Sequence, residues 1–299
     1  MRVRLLYSAL PALVFTAVHA QSLPPGTTVG SASLAGGAQF DTDFDSGGNF
    51  RRAELAASGE ILRQWTPQLA AGLTVRYQFD QWNFDQPKAF GGRAPWGDVQ
   101  APQLGASFIY APAADWRIVI APSIQWSYED GASASDAQIY GAVAIATKVF
   151  SPTLTLGIGA AAYRELSETK VFPFIAVNWK INDQWRLSNP LPAGPAGGAG
   201  LELTYRPVEG WELGGGGAYR STAFRLNNDG PVPGGIGEAT SIPLFLRISK
   251  DITPKTRLDF YALALVNGKL TVKSPGGDDI VSEDYKTAPA LALSLRHRF

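Results

Sequence analysis

The chain has no cysteine and one methionine, and its two histidines are His19 and His297. The missing thiols exclude a disulfide framework, a thiolate zinc site, an iron–sulfur cluster and a cysteine nucleophile. Charge of either sign is not in excess: 26 Lys and Arg balance 26 Asp and Glu, and no basic run suggests a nucleic-acid partner. Beyond the N-terminus no apolar run approaches the roughly 20 residues of a membrane-crossing helix. Any membrane span must therefore be made of alternating strands. No repeat of solenoid length is present either.

What is present begins with a basic start, Arg2 and Arg4, a mostly apolar stretch over residues 5–18, and Val18-His19-Ala20, which puts small residues at the minus-three and minus-one positions of a cleavage site. Residues 1–20 are read as a cleaved signal peptide, with the mature chain starting at Gln21. An inner-membrane anchor would need a longer run, unbroken by Ser8, Pro11 and Thr16. Removing the two leader arginines leaves 24 basic against 26 acidic residues. Residues 21–299 are read as one domain, since 21–28 is too short for a plug or a second module.

Strict alternation runs through the remainder. Leu69, Ala71, Leu73, Val75, Tyr77 and Phe79 alternate with Ala70, Gly72, Thr74, Arg76, Gln78 and Asp80, giving one apolar and one polar face. Similar alternation recurs over 116–128, 153–163, 200–206 and 241–249. A half-buried sandwich would alternate too, but its strands usually run to about five or six residues, whereas these reach a dozen. Trp116 and Trp126 share a parity and stand about 25 Å apart along a tilted strand, the height of a membrane barrel's apolar band.

Six short connections carry turn residues, at 65–67, 112–115, 150–152, 182–183, 207–210 and 250–255. Seven others, at 42–49, 83–100, 129–136, 165–169, 189–198, 226–237 and 268–284, are mostly longer. Thirteen connections make fourteen strands, with both termini on the short-turn side. Pro190, Pro192 and Pro195 crowd one strand pair, and proline cannot donate to a central ladder, so twelve strands is the alternative count. The expected fold is all-β: a single antiparallel transmembrane β-barrel. Trp65, Trp116, Trp126, Trp179, Trp185 and Trp211 are assigned to interfacial girdles.

The chain ends Leu291-Ala-Leu-Ser-Leu-Arg-His-Arg-Phe299, which resembles the C-terminal signature of bacterial outer-membrane β-barrel proteins. Phe172-Pro-Phe-Ile-Ala-Val-Asn-Trp179, followed by Ile181-Asn-Asp-Gln-Trp-Arg-Leu187, is similar to a family of exported barrels with no assigned function. The first resemblance implies an outer-membrane location with both termini in the periplasm, partners in outer-membrane lipid, lipopolysaccharide and the barrel assembly machinery, and an assembly signal at Leu295, His297 and Phe299. Neither resemblance implies an activity.

Candidate chemistry is sparse. The mature chain has only His297, placed on the outward face with Phe299, so acid–base or triad catalysis lacks its base. The chain is read as no enzyme, with no cofactor. Asp41, Asp43 and Asp45 resemble the start of a calcium loop, but Ser46 and Arg52 stand where a glycine and a bidentate glutamate belong; the run is at most a weak metal candidate. Gly214 to Gly217 lacks the Lys-Ser/Thr of a phosphate cradle and reads as barrel wall where bending or close approach is needed.

Taking each apolar face as outward leaves a charged inward set, with Arg52, Glu54, Arg76, Asp80, Arg117, Lys148, Lys180, Arg206, Arg220, Arg247, Arg296 and Arg298 as pore-lining candidates. Such charges require a wet or mutually paired lumen. The functional expectation is a porin-like passive channel for small polar solutes with mild anion preference. The alternative is a closed structural, adhesive or receptor barrel acting through 83–100 and 268–284.

Overall fold

The computed structural model describes residues 23–191 and 195–299, so the expected leader lies outside the described residues. Fourteen antiparallel strands close into one barrel among the described residues. They are β1 (Thr28–Asp43), β2 (Asn49–Gln64), β3 (Leu69–Asp85), β4 (Val99–Gln100 and Gln103–Tyr110), β5 (Trp116–Trp126 and Tyr128–Glu129), β6 (Gln138–Ser151) and β7 (Leu154–Arg164). The second half comprises β8 (Thr169–Lys180), β9 (Trp185–Asn189), β10 (Ala199–Tyr205), β11 (Trp211–Arg225), β12 (Ile236–Thr253), β13 (Thr256–Lys273) and β14 (Asp279–Tyr285 and Ala288–Arg298). Closure is by β1 against β14, in register from Ser31 with Arg298 to Gln39 with Ala290.

The alternation dictates which face meets lipid. On β3, Leu73, Val75 and Tyr77 are exposed, while Asp80 on the opposite parity is buried. Trp65, Trp116, Trp179, Trp185 and Trp211 are exposed near the short turns, a girdle marking one membrane boundary. Arg63, Lys148 and Lys250 lie over the rings of Trp65, Trp116 and Trp211 at 4.8, 5.5 and 4.6 Å, cation–π contacts that suit an interface. Trp126 is half-buried near the other end of β5.

Two expected loops are shorter than their composition suggests. Residues 268–284 form mostly a hairpin, because β13 continues to Lys273 and pairs with β14 from Gly268–Tyr285 to Lys273–Asp279. Asn267 takes a left-handed φ of 51° there, and the resulting bulge reverses the facing of the residues that follow. The connection expected over 83–100 shrinks to 86–98. The prolines near 190 shorten strands instead of removing them: β9 has five residues and β10 seven.

That shortness breaks the wall. β9 pairs with β8 only from Val177 to Lys180, so among the described residues no strand lies between the loop-side half of β8 and the loop-side half of β11. The loop-side halves of β11, β12 and β13 are tucked inward. On β12, Leu246 is 69% exposed, yet Glu238 on the same face is 8% exposed. What covers it is β8: Lys170, on the inner face opposite exposed Val171 and Ile175, places Nζ 3.1 Å from Glu238. Lys170 also pairs with Glu165 at 2.7 Å and Lys273 with Glu238 at 2.7 Å, so the overlap is stitched by a buried ion cluster. Beside it an apolar patch of Val143, Ile145, Ala161, Tyr163, Phe172 and Ala176 lines the inner face of β6 to β8.

The glycine run sits where β11 leaves the single-layer wall. A Cβ on Gly214 would collide with the Glu202 side chain, and one on Gly216 with the Leu201 carbonyl. The run thus lets β10 and β11 approach closely just before the inward tuck.

Candidate functional site

Three levels of the lumen differ in what fills them. At the loop end, rings pack across the interior. Phe44 stacks on Phe50 at 4.9 Å, Phe50 on Trp82 at 5.8 Å, Trp82 meets Trp96 edge-on at 5.5 Å, and Trp96 meets Phe224 at 5.1 Å. Trp96 comes from connection 86–98 and Phe224 from β11, so the chain of rings runs from the β2–β3 wall to the tucked-in wall.

Backbone and carboxylate contacts pin this plug. Arg225 of β11 forms a parallel bridge with Tyr128 of β5, its N–H donating to the Ser127 carbonyl at 2.9 Å. The Glu129 carboxylate accepts from the Gly97 and Asn227 N–H groups at 2.7 and 2.8 Å. The Arg225 guanidinium donates to the carbonyls of Asp136 and Gly234 at 3.0 and 2.9 Å. The ends of β5 and β11 thereby hold the connections 86–98, 130–137 and 226–235 together.

At mid-height an ion network crosses the barrel. Arg220 of β11 pairs with Glu54 of β2, Arg52 with Glu54 at 3.3 Å and with Asp80 at 2.7 Å. Gln78 donates to Asp80 at 3.1 Å, and Arg76 to Gln78 at 2.9 Å. Arg52 also lies over the Trp82 ring at 4.8 Å, which couples the network to the plug above it. A residual space of about 60 Å³ lined by Arg76, Asp80 and Phe224 remains between them.

The turn end is open. A vestibule of about 1140 Å³ is lined by nine basic and five acidic side chains, among them Arg117, Lys180, Arg206, Arg247, Arg296 and Arg298. Arg247 is a hub, 2.7 Å from Glu202, 2.7 Å from Glu212 and 3.3 Å from Asp259. Arg257 pairs with Glu212 at 2.6 Å and with Asp259 at 3.1 Å, and Arg206 with Glu212 at 3.0 Å. At the rim the exposed Lys180 ammonium, 2.7 Å from Asp183, holds that carboxyl below its ordinary value.

The sequence-derived set is thus divided. Arg52, Glu54, Asp80 and Arg220 come together at mid-height with Arg76 beside them, and six others surround the vestibule. Lys148 is a correction: it pairs across strands with Trp116 on the outer face and lies 5.7 Å from the Phe150 ring, outside the lumen. Its β6 neighbours Val143 and Ile145 are the inward residues, and a cation at a lipid boundary carries the same local signal as a luminal one. Asp41 and Asp43 lie in β1 and Asp45 pairs with Lys286 at 2.7 Å; no metal-holding carboxylate group occurs among the described residues. Leu295 and Phe299 are exposed on the outer face, and His297 Nδ1 lies 2.9 Å from the Thr256 hydroxyl.

Residues absent from that set include Trp82, Trp96, Arg186, Arg257, Lys170 and Glu238. Trp82 was findable, because it shares the parity of inward Asp80. Trp96 carries no periodic signal, and Glu238 has outward parity that only the overlap contradicts.

The model of a domain of unknown function (DUF6268) matches residues 102–232. None of the curated proteins matches the chain. Among solved structures, the COG4313 outer membrane channel from Pseudomonas putida F1 is 13% identical, with 94% of this chain and 98% of that one covered and a TM-score of 0.49. The toluene transporter TodX of P. putida is 8% identical over 93% and 91% at 0.47. The KdgM porin, solved with disordered oligogalacturonate, is 8% identical over 89% and 99% at 0.36. These are likenesses of barrel shape, and no site residue is carried over from them.

Proposed function

We propose that the chain is a passive channel of a Gram-negative outer membrane for small polar solutes, with a modest anion preference and a loop end that is shut at rest. The observation that carries this reading is the unfilled vestibule of about 1140 Å³ with its basic excess. A barrel serving only as a structural element can fill its interior with packed side chains, as the loop half does here. An open, charged half is what a diffusing solute needs. The receptor or adhesin reading is weakened because buried Trp96 anchors connection 86–98 in the lumen and because 268–284 is largely hairpin. Catalysis is not part of the proposal, as His297 lies on the outer face beside Thr256 and Phe299.

The short turns are assigned to the periplasm, with both termini, and the partners are outer-membrane lipid, lipopolysaccharide and the assembly machinery that reads Phe299. Deleting Phe299 should then reduce outer-membrane yield far more than Phe299→Tyr, and equal yields would refute that role. The channel itself is tested in planar bilayers, where brief discrete currents with chloride modestly favoured over potassium are expected. Replacing Arg76, Arg117 and Arg220 together by Ser should lower or reverse that preference. A folded barrel silent at every voltage would overturn the channel.

A further inference from the structure

The two walls of the vestibule are chemically unlike. On the β10–β13 side the carboxylates of Glu202, Glu212 and Asp259 are already engaged by Arg206, Arg247 and Arg257, so that wall is saturated with its own ion pairs. Among the described residues the β5–β9 side carries hydrogen-bonding groups, and its inward Lys180 is paired only at the exposed rim, with Asp183. Strand register sets Thr155 beside Asn178 and Asn178 beside Ser188, all on the inward face. One row nearer the turns, Arg186 stands beside Lys180; Arg117 stands beside Thr147 on β5 and β6, and that row continues to Gly157, one row nearer the loops than Thr155.

Among the described residues, neither the Arg117 nor the Arg186 guanidinium has an ion-pair partner, and both are half-buried in the vestibule lining. A half-buried guanidinium facing a polar lumen is best compensated by an anion from solution, bound through charge-assisted and often bidentate contacts. The Thr155–Asn178–Ser188 row between the two arginines offers donors and acceptors with no demand for charge.

We infer that this wall is a binding surface for a small polyhydroxylated oxyanion, its acid group held by Arg117 or Arg186 and its hydroxyls by Thr155, Asn178 and Ser188. The inference rests on the channel reading for its biological sense, but binding can be measured without transport. Full-length protein folded in detergent would be equilibrated by dialysis against labelled gluconate, against sorbitol as the neutral polyol, and against acetate as the anion without hydroxyls. Gluconate should be retained at least about tenfold better than either, the size of one charge-assisted contact.

Arg117→Gln with Arg186→Gln should remove most of that advantage. Asn178→Ala with Ser188→Ala should weaken gluconate severalfold and leave acetate unchanged, and heat-modifiable migration of each variant on gels would establish that the barrel is folded. Equal retention of gluconate and sorbitol, or gluconate binding untouched by the arginine pair, overturns the inference. Retention of gluconate no better than acetate removes the hydroxyl part and with it the assigned class. Absence of bilayer current alongside intact gluconate binding would sink the channel reading and leave this one standing.

Discussion

The two ends of this barrel are made from the same alternating strands and behave as opposites. At the turn end each strand is a single layer with lipid on one side and water on the other, and its inward charges leave a vestibule. At the loop end the wall doubles: β8 covers the outer face of β12, and both faces of β12 are buried from Ile236 to Ala239. The lesson is that a barrel can be closed by its own wall. Where two short strands let their neighbours part, polar residues that would otherwise face lipid acquire partners.

This contrast is broken most directly by opening the loop end. Trp96→Ala combined with Arg220→Ser removes the lumen-crossing ring and the lumen-crossing charge, and single-channel conductance should rise about tenfold because the narrowest level dominates resistance to flow. Arg206→Ser at the turn end should leave conductance within about twofold, as that level is already wide. Equal responses would mean that the two ends do not differ in the way described.

The doubled wall makes its own demand on β12. Glu238→Gln strips the carboxylate shared by buried Lys170 and half-buried Lys273, leaving Lys170 with Glu165, and should cost about 3 kcal/mol, the lower end of the scale for a broken buried pair. Leu246→Gln, eight residues along on the same face, should cost less, because it exposes a polar amide to lipid without stranding a charge. Refolding titrations into bilayers measure both. A smaller loss at Glu238 than at Leu246 would show that the overlap is not closed in the folded protein.

Facing is checked at lower cost. Leu73→Arg should destabilise the barrel by about 2–4 kcal/mol if it lies near the membrane midplane, and Thr74→Arg by much less. Similar losses for the two neighbours would contradict the lipid-facing assignment of β3.

The smallest effect belongs to the turn-end rim. Because Lys180 depresses the Asp183 carboxyl, whatever that pair contributes is present above the ordinary carboxylate value and lost as the pH falls through the lowered one. Both groups are exposed, so Asp183→Asn should be indistinguishable from wild type at acid pH and barely different at neutral pH. A clear neutral-pH loss would show that the rim is structured more tightly than its exposure implies.

The sequence by itself determined the facing of most residues and a count of fourteen strands, with twelve left as the alternative at the prolines near 190 until the short β9 and β10 decided it. A period of two assigns Leu73 and Thr74 to opposite faces wherever the chain goes, and turn chemistry at six short connections counts the hairpins. Both are local properties, written in neighbouring residues. Parity alone also carried enough to place Arg52, Glu54, Asp80 and Arg220 inward, though not to say that Arg220 of β11 would meet Glu54 of β2 across the lumen. Lys148 escaped because a cation beside an interfacial tryptophan and an inward cation look alike in one strand.

Only the tertiary structure decided that Trp96 fills the loop end, that Glu238 is buried despite its outward position, and that Arg117 and Arg186 have no ion-pair partner among the described residues while Arg247 gathers three carboxylates. Those outcomes depend on which strands lie opposite one another after closure and on β9 and β10 being too short to keep β8 and β11 apart from overlap. Contacts between residues more than a hundred positions apart are set by the path of the whole wall, and no local period encodes that path.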